Sequence, residues 1–465
     1  MSFFSKLLSL GRSNSPSSTS ELRKIALRES PAGLKTLTGR FGVGFVDVEW
    51  EDTENLTLNQ EESGLLGNEI PFVLARIYYP SPITKASDEF TENPEQFGTW
   101  LPSSHYFPGY GYFLRLPTLV SSGIGRLLAA NVRIRAKESV PLVSIHETGT
   151  ENFPVMIFSH GIAGIRTTYS SLCCEMASRG IVVVALEHRD GSASMTIDQK
   201  GKVYPYRAGP SGLNLPMVDY EYRAAQLAHR VKEIKSTALK FLDSLNEAGD
   251  YASLILSSPK LIETLKQFKG RLLMNRIILM GHSFGGSSCL AASQAISSVT
   301  CCIAIDPWMF PMPQPSLPIN RTDLDNLLII NEKFSWSEND AAIQKYINDF
   351  RHTDKSLAKV QLRGCVHMDQ SDLASIIPAR IIQILRPNAS IPADHHRIIQ
   401  ANVDLIAAQL SYSFPMFSFD AKWKITQLSD LNHRKISPEL KEIDANVEET
   451  EIDSLIKLET FLNYK

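Results

Sequence analysis

The chain has 465 residues, of which 43% are hydrophobic and 21% are charged, so most of it can fold around a large core. Lys and Arg number 47 against 50 Asp and Glu, and the formal net charge of −3 argues against a nucleic-acid partner. Six cysteines show no C-x-x-C pair, so neither a disulfide framework nor a zinc site is indicated. A reducing, cytoplasmic environment fits this cysteine usage best.

The N-terminal segment, residues 1–24, is predicted to be flexible. Its apolar run is interrupted by Lys6 and is too short for the core of a signal peptide, which spans about 7–15 residues. Apolar residues at positions 3, 4, 7 and 8 fall at helical spacing and indicate a short amphipathic helix. The segment is rich in serine, but it carries too few basic residues to favour a mitochondrial presequence.

Apolar runs alternate with helical stretches along most of the chain. Two β-rich runs, at 43–50 and 72–80, predict early strands. Six later runs are each followed by polar residues or glycine: FPVMIFSHG, IVVVALEHR, RIILMGHS, TCCIAIDPW, NLLIINEKF and AKVQLRGCVH. Such continuous apolar runs are typical of parallel strands that are covered on both faces. The predicted fold class is therefore α/β, with a central, mostly parallel sheet and helices on both faces.

The same pattern predicts how the chain is divided. We expect one catalytic domain over residues 25–420, followed by a charged C-terminal tail over residues 421–465. No window of the sequence has the roughly 18 uninterrupted apolar residues that a membrane-spanning helix needs.

The stretch RIILMGHSFGG, residues 276–286, places Ser283 between glycines, after a predicted strand and before a predicted helix. A G-x-S-x-G pattern is weakly informative alone, but this strand–turn–helix setting is the context of a nucleophile elbow. Gly281 and Gly285 remove side chains that would collide in so tight a turn. We expect Ser283 to attack a carbonyl carbon; the alternative is a tight turn with an inert serine.

A serine hydroxyl needs a neighbouring base to remove its proton. In α/β hydrolases the chain order is nucleophile, acid and base, which favours His367, three residues after the run AKVQLRG. Other histidines after the serine do not directly follow a predicted strand: His352, His395, His396 and His433. His188 lies at a strand end but precedes the serine.

The remaining roles are a carboxylate that orients the base and two amides that bind an oxyanion. Asp306, at the end of the run CCIAI, is the first choice for the carboxylate. Glu332, after the following strand, stays as the alternative acid because many α/β hydrolases carry their acid there. The backbone amides of Phe284 and of Ile162, in the loop FSHGIAG, are the expected oxyanion donors. None of these assignments requires a metal or another cofactor.

Several stretches resemble, in order and spacing, the plasma-type (group VII) platelet-activating factor acetylhydrolases: FSHGIAGIRTTYSS, VVALEHRDGSAS, GHSFGGSS, IDPWMFP and GCVHMDQSDL. The resemblance covers roughly residues 38–385. It implies an α/β-hydrolase fold and a calcium-independent hydrolase that removes acetyl or short, often oxidised, acyl chains from the sn-2 position of glycerophospholipids. The family's site residues fall on the positions assigned above: Ser283, Asp306, His367 and the amides of Ile162 and Phe284. This favours Asp306 over Glu332 as the acid, although the family usually has leucine where Ile162 stands.

The resemblance also implies a phospholipid substrate and an intracellular, fungal-type member of the family, since no signal peptide is recognised. Residues 105–136 are aromatic and apolar with interspersed arginines, like the family's membrane-facing helices, and indicate peripheral contact with a phospholipid surface. The alternative for this segment is ordinary core packing. Two other functions stay open: a soluble carboxylesterase of broad range, and a non-catalytic lipid-binding protein that retains the fold.

Overall fold

A computed structural model describes residues 34, 36–67, 71–82, 90, 92–113, 132–198, 200–212, 217–247, 254, 258–313, 317–321, 323–350, 356–377, 395–419 and 456–462. The predicted flexible segment, residues 1–24, lies outside these residues, as do residues 421–455 of the predicted tail and residues 114–131 of the predicted membrane-contacting segment. Among the described residues, no helix has both the length and the apolar character that crossing a membrane requires.

Twelve strands are present in the described part of the chain: β1 (Gly42–Glu51), β2 (Phe72–Ser81), β3 (Lys137–Glu138), β4 (Val155–Ser159), β5 (Val182–Glu187), β6 (Met195–Ile197), β7 (Val203–Pro205), β8 (Ile277–His282), β9 (Val299–Ile305), β10 (Asp325–Asn331), β11 (Ser356–Leu362) and β12 (Ile456–Leu462). Ten of them form one sheet in the order β12-β11-β10-β9-β8-β4-β5-β2-β1-β3, and β6 and β7 form a separate hairpin.

The α-helices of the same residues are α1 (Thr53–Leu56), α2 (Gln60–Leu66), α3 (Phe107–Phe113), α4 (Ile145–Thr148), α5 (Ser170–Ser178), α6 (Tyr220–Ser236), α7 (Leu242–Glu247), α8 (Pro259–Lys266), α9 (Phe284–Ser293), α10 (Ser337–Phe350), α11 (Leu373–Ile376) and α12 (His395–Ser413). A π-helical turn, Thr237–Phe241, joins α6 to α7, and short 3₁₀ turns occupy Pro94–Gln96, Ser104–Tyr106 and His367–Gln370.

The centre of the large sheet is parallel. Strands β5, β4, β8, β9, β10 and β11 run in one direction, whereas β2 pairs antiparallel with β5, β1 with β2, and β12 with β11. The predicted fold class, a mostly parallel sheet with helices on both faces, is confirmed. In such a sheet the ligand site lies beyond the carboxyl ends of the parallel strands.

Alternate residues of each central strand enter the hydrophobic cores on opposite faces of the sheet. In β8, Ile277 and Leu279 pack in one core with side chains of α6, whereas Ile278 and Met280 pack in the other with side chains of α5 and α12. Because both faces are covered, the strands read as continuous apolar runs rather than as an alternating pattern.

One feature differs from the sequence predictions, and another bears on an alternative that the sequence left open. Residues 456–462, which we expected in a charged peripheral tail, form edge strand β12, paired antiparallel with β11. The overall charge of the tail concealed a short β-compatible stretch, IKLETFL, whose pairing partner is about 100 residues away in the chain. In the segment 105–136, the described side chains Tyr106, Tyr110 and Ile134 are buried in the core, which agrees with the alternative of core packing there.

Candidate active site

Ser283 lies in a sharp turn between β8 and α9. Its φ of +59° is unusual for a residue with a side chain, and this strain is typical of functional turns. A Cβ on Gly281 would lie 2.3 Å from the Gly285 carbonyl oxygen, and a Cβ on Gly285 would lie 2.0 Å from the Ser159 carbonyl oxygen. Only glycine therefore fits at both positions. The Ser283 amide donates to the Ile305 carbonyl at 2.8 Å, which holds the turn against the end of β9.

The structure brings the three predicted side chains together. The Nε2 atom of His367 lies 3.0 Å from the Oγ of Ser283, and its Nδ1 lies 3.0 Å from the Oδ2 of Asp306. His367 occupies the 3₁₀ turn after β11, and its ring stacks on Phe334 with centroids 3.9 Å apart. The parallel strands thus bring Ser283 and Asp306, which precede His367 by 84 and 61 residues, within hydrogen-bonding distance of its imidazole.

Asp306 is fully buried and is held by a residue from the neighbouring strand. Asn331, the last residue of β10, donates its backbone N–H to Oδ1 and its side-chain Nδ2–H to Oδ2, both at 2.6 Å. Burial alone would raise the pKa of Asp306, but the neighbouring His282 and His367 outweigh burial and lower the pKa below its usual value. The carboxylate is therefore charged, as a group that stabilises an imidazolium must be.

The two predicted oxyanion donors lie in segments with fixed backbones. Phe284 is the first residue of α9, so its amide has no acceptor within the helix. The loop that contains Ile162 is held by hydrogen bonds of the flanking residues, since the Ala163 amide donates to the Ser192 carbonyl at 2.7 Å. The guanidinium of Arg230 donates to the His160 carbonyl at 2.6 Å and lies over the ring of Phe284. One buried cation thus contacts both segments.

Comparison with known proteins shows to which family the chain belongs. Residues 29–417 match the profile of a family described as platelet-activating factor acetylhydrolase, isoform II. The chain belongs to this family.

Individual acetylhydrolase relatives agree with this assignment. A platelet-activating factor acetylhydrolase from Cavia porcellus is 30% identical over 328 residues, which cover 69% of this chain and 68% of that protein. A protein from Schizosaccharomyces pombe that is named, provisionally, a phospholipase A2 is 27% identical over 378 residues, covering 71% and 81% of the two chains. A solved ferulic acid esterase from Streptomyces cinnamoneus shares the fold, with a TM-score of 0.59 at 16% identity, over 92% of this chain and 98% of that one. Family and fold identify the chain as a serine ester hydrolase of the α/β-hydrolase type.

Of the other candidates for base and acid, Glu332, His188 and His395 have hydrogen-bond partners outside the set of Ser283, Asp306 and His367. Glu332 is exposed, and its carboxylate accepts the Gly364 amide at 3.0 Å rather than contacting His367. The Nδ1 of His188 contacts Glu233, and the Nδ1 of His395 contacts the Asp369 carbonyl. His396 lies beside His395 on α12, and His352 and His433 lie outside the described residues.

Among the described residues, one group of side chains has the composition and spacing to hold a metal ion: His282, Asp306 and His367, whose ligand atoms lie within 4.8 Å of one another. In this arrangement His367 and Asp306 bond to each other and His282 contacts Tyr169. These contacts are the ones expected of a serine site, and a mechanism without a metal stays our prediction.

Sequence reasoning missed several residues that shape the site. Asn331 and His282 end strands β10 and β8, so the rule that parallel strands meet at their carboxyl ends could have found them. No sequence signal pointed to Phe334, Tyr169 or Arg230, because each reaches the site from a different element through side-chain contacts alone.

Proposed function

We propose that this chain hydrolyses short or oxidised sn-2 acyl esters of glycerophospholipids, including acetyl esters, without calcium and through an acyl-enzyme on Ser283. The observation that carries the proposal is the pair of 3.0 Å contacts that joins Ser283, His367 and Asp306 in a chain of the acetylhydrolase family.

Acylation begins when the Oγ of Ser283 attacks the sn-2 carbonyl carbon while the Nε2 of His367 takes the serine proton. The imidazolium that forms is stabilised by the Asp306 carboxylate. The carbonyl oxygen becomes an oxyanion, which the amides of Ile162 and Phe284 bind. Each such donor typically contributes about 2.7–4 kcal/mol to transition-state stabilisation.

Collapse of this intermediate breaks the bond between the carbonyl carbon and the sn-2 oxygen. The Nε2 of His367 gives its proton to that oxygen, and the lysophospholipid leaves as an alcohol. Water then attacks the acyl-enzyme while the same imidazole takes a water proton. The second tetrahedral intermediate releases the carboxylic acid and restores the Ser283 hydroxyl, so protons and charges balance over the cycle.

The substrate class is supported by the names of the relatives and by the surroundings of the serine. The ring of Phe284 packs edge-on against Trp308, which stacks on Phe310 at 5.8 Å, so aromatic groups follow the acid in the chain. Phe284 and Trp308 are themselves buried in the core, so of these three rings only the partly exposed Phe310 is available to an apolar acyl group. A reducing, cytoplasmic location is supported by six buried cysteines, all of them free thiols. Peripheral contact with phospholipid through residues 105–136 stays part of the proposal: Tyr106, Tyr110 and Ile134 are core residues, and the apolar and basic sequence pattern of the segment supports the contact.

A chain-length series tests this function. Purified enzyme is given phospholipids whose sn-2 acyl group lengthens from acetyl, together with simple soluble esters, each with and without EDTA. We expect kcat/KM to be highest for acetyl and short chains and to be unchanged by EDTA. Faster cleavage of simple esters would indicate the carboxylesterase, and activity lost with EDTA would contradict a calcium-independent mechanism. Saturable lipid binding with no released acid would indicate the non-catalytic protein.

A further inference from the structure

One buried hydroxyl connects the oxyanion loop to the acid side of the site. The Oη of Tyr169, the residue before α5, lies 3.3 Å from the Gly161 amide and 2.7 Å from the Nδ1 of His282. Gly161 immediately precedes Ile162, and His282 immediately precedes Ser283. Tyr169 therefore contacts a neighbour of an expected oxyanion donor and a neighbour of the nucleophile.

The direction of these hydrogen bonds follows from their chemistry. A backbone N–H can only donate, so Gly161 donates to the Tyr169 oxygen. The tyrosine has one O–H hydrogen, and the His282 Nδ1 is its acceptor among the contacts that the structure shows. Burial raises the pKa of Tyr169 well above its usual value, so this hydrogen is retained at any working pH.

An accepting Nδ1 places the single ring proton of neutral His282 on Nε2. Burial, and then the charge of His367, lower the pKa of His282 to about 4, so the ring is neutral near pH 7. Its Nε2 lies 3.9 Å from the Oδ2 of Asp306, long for a hydrogen bond but close enough for electrostatic attraction. The rings of His282 and His367 lie 4.3 Å apart.

We propose that Tyr169 is a positioning residue that fixes His282 in the Nε2–H tautomer, so that a neutral N–H faces the Asp306 carboxylate while the same hydroxyl holds the oxyanion loop at Gly161. The inference rests on the proposed function of the site. In the other tautomer the Nε2 lone pair would face the carboxylate and repel it. Tyr169 thus couples the position of the oxyanion loop to the electrostatics of the acid.

Replacing Tyr169 by phenylalanine tests the kinetic part, because this change removes the hydroxyl and keeps the ring that packs on Phe158. The matched control is Tyr78→Phe, which removes another buried hydroxyl, 2.8 Å from the Oγ of Ser170, with no contact to the site. We expect kcat of Tyr169→Phe to fall roughly tenfold with KM within about twofold, and Tyr78→Phe to keep kcat within about twofold. Equal kcat values for the two variants would overturn the proposal.

The tautomer itself is measured by nitrogen NMR of protein with ¹⁵N-labelled histidine rings, where the His282 signals are identified by their loss in His282→Gln. We expect wild-type His282 to be neutral with its proton on Nε2, and Tyr169→Phe to shift it toward the other tautomer, whereas Tyr78→Phe leaves it unchanged. A wild-type proton on Nδ1, or an unchanged tautomer in Tyr169→Phe, would overturn the proposal.

The two measurements separate this inference from the function on which it rests. If the wild-type protein cleaves no ester, the proposed function fails, and the tautomer still decides whether Tyr169 orients His282. If the wild type cleaves phospholipid esters and Tyr169→Phe retains both kcat and tautomer, only the role of Tyr169 fails.

Discussion

Among the residues that the structure describes, two sets of serine, histidine and acid side chains are joined by similar hydrogen-bonding distances. In the candidate site, His367 lies 3.0 Å from both the Ser283 hydroxyl and the Asp306 carboxylate. Next to it, His188 contacts the Oγ of Ser159 at 2.7 Å through Nε2 and the carboxylate of Glu233 at 2.5 Å through Nδ1. We call the second set the buried relay; it joins β4, β5 and α6.

The two sets differ in the backbone conformation at the serine and in the access that a substrate has to the serine hydroxyl. Ser159 lies in the extended strand β4 and is 0% exposed, as are His188 and Glu233. Ser283 lies in the strained turn and is 4% exposed, close to the surface at which the parallel strands end. A substrate carbonyl cannot approach a hydroxyl that is enclosed on all sides, so only Ser283 is placed to react.

The charges differ as well. Burial, and then the negative charge of Asp190, raise the pKa of Glu233 well above its usual value, while burial and the charge of Arg230 lower the pKa of His188. Asp306 is buried too, but its pKa is lowered, so it is the acid that carries a negative charge near pH 7. A raised pKa favours the neutral form of an acid, which cannot stabilise an imidazolium as a carboxylate does. Two hydrogen-bonding distances therefore do not make a catalytic site; the pKa of the acid and access to the serine matter as well.

The largest expected effect separates the two serines. Ser283→Ala removes the nucleophile, and we expect kcat to fall by about 10⁴-fold or more, since residual rates in other triads come from the oxyanion donors alone. A fluorophosphonate probe should label wild type and Ser159→Ala but not Ser283→Ala, as read by mass spectrometry. Labelling that persists in Ser283→Ala would refute the assignment.

The next largest loss of activity is expected from replacing the acid. Asp306→Asn keeps the shape of the side chain but loses its charge and favours the wrong tautomer of His367, so we expect kcat to fall by about 10⁴-fold. The control Glu332→Gln should keep kcat within about twofold, since Glu332 bonds to Gly364 instead. Near-normal turnover of Asp306→Asn, measured by release of acetate, would transfer the role to Glu332.

A smaller loss is expected from the residue that supports the acid. Asn331→Ala removes the Nδ2–H bond to the Asp306 carboxylate, and a hydrogen bond to a charged group contributes about 1.5–3 kcal/mol, so kcat should fall roughly 10- to 100-fold. Asn326→Ala is the matched control, because Asn326 is a buried asparagine of the same strand that contacts Tyr346. If the two variants lose the same activity, Asn331 acts on stability alone.

The buried relay should respond in stability rather than in turnover. The pKa of Glu233 is raised in the folded state, so its contribution to stability is full below about pH 4.5 and is lost as pH rises toward the folded-state pKa. Gln is neutral throughout, so between pH 4.5 and the folded-state pKa of Glu233 the free energy of unfolding of Glu233→Gln should rise relative to that of wild type by about 1.4 kcal/mol per pH unit, and the difference should be constant at higher pH. Urea unfolding at several pH values measures this, and kcat should stay within about twofold.

A difference between Glu233→Gln and wild type that does not change with pH would mean that Glu233 is ionised in the folded protein. In that case the charge of the acid would no longer distinguish the buried relay from the candidate site, and access to the serine would be the remaining difference.

Much of the fold could be predicted from the sequence. Each central strand is a short apolar run with a polar end, and both cores that this pattern requires are present. Ser283, Asp306 and His367 were selected because each follows such a run, and they lie together because residues that follow parallel strands meet at one edge of the sheet. Edge strand β12 escaped this reasoning because its sequence, IKLETFL, is not a continuous apolar run.

Contacts that depend on side-chain direction could not be predicted in this way. Tyr169 and His282 are 113 residues apart, and neither the spacing nor the residue types indicate that the hydroxyl meets Nδ1. Asn331 could have been placed at the correct edge of the sheet, but not against both oxygens of Asp306.

By itself, the sequence determined the succession of strands along the chain, the tight serine turn and the candidates for nucleophile, acid and base, because local apolar patterns and glycines dictate backbone structure. Chain order already favoured His367 over His188, a histidine at a strand end that precedes the serine. Only the tertiary structure decided that one imidazole faces an accessible serine and a charged acid while the other is sealed in the core. Solvent access and the pKa of an acid depend on everything packed around it, and much of that packing comes from distant parts of the chain.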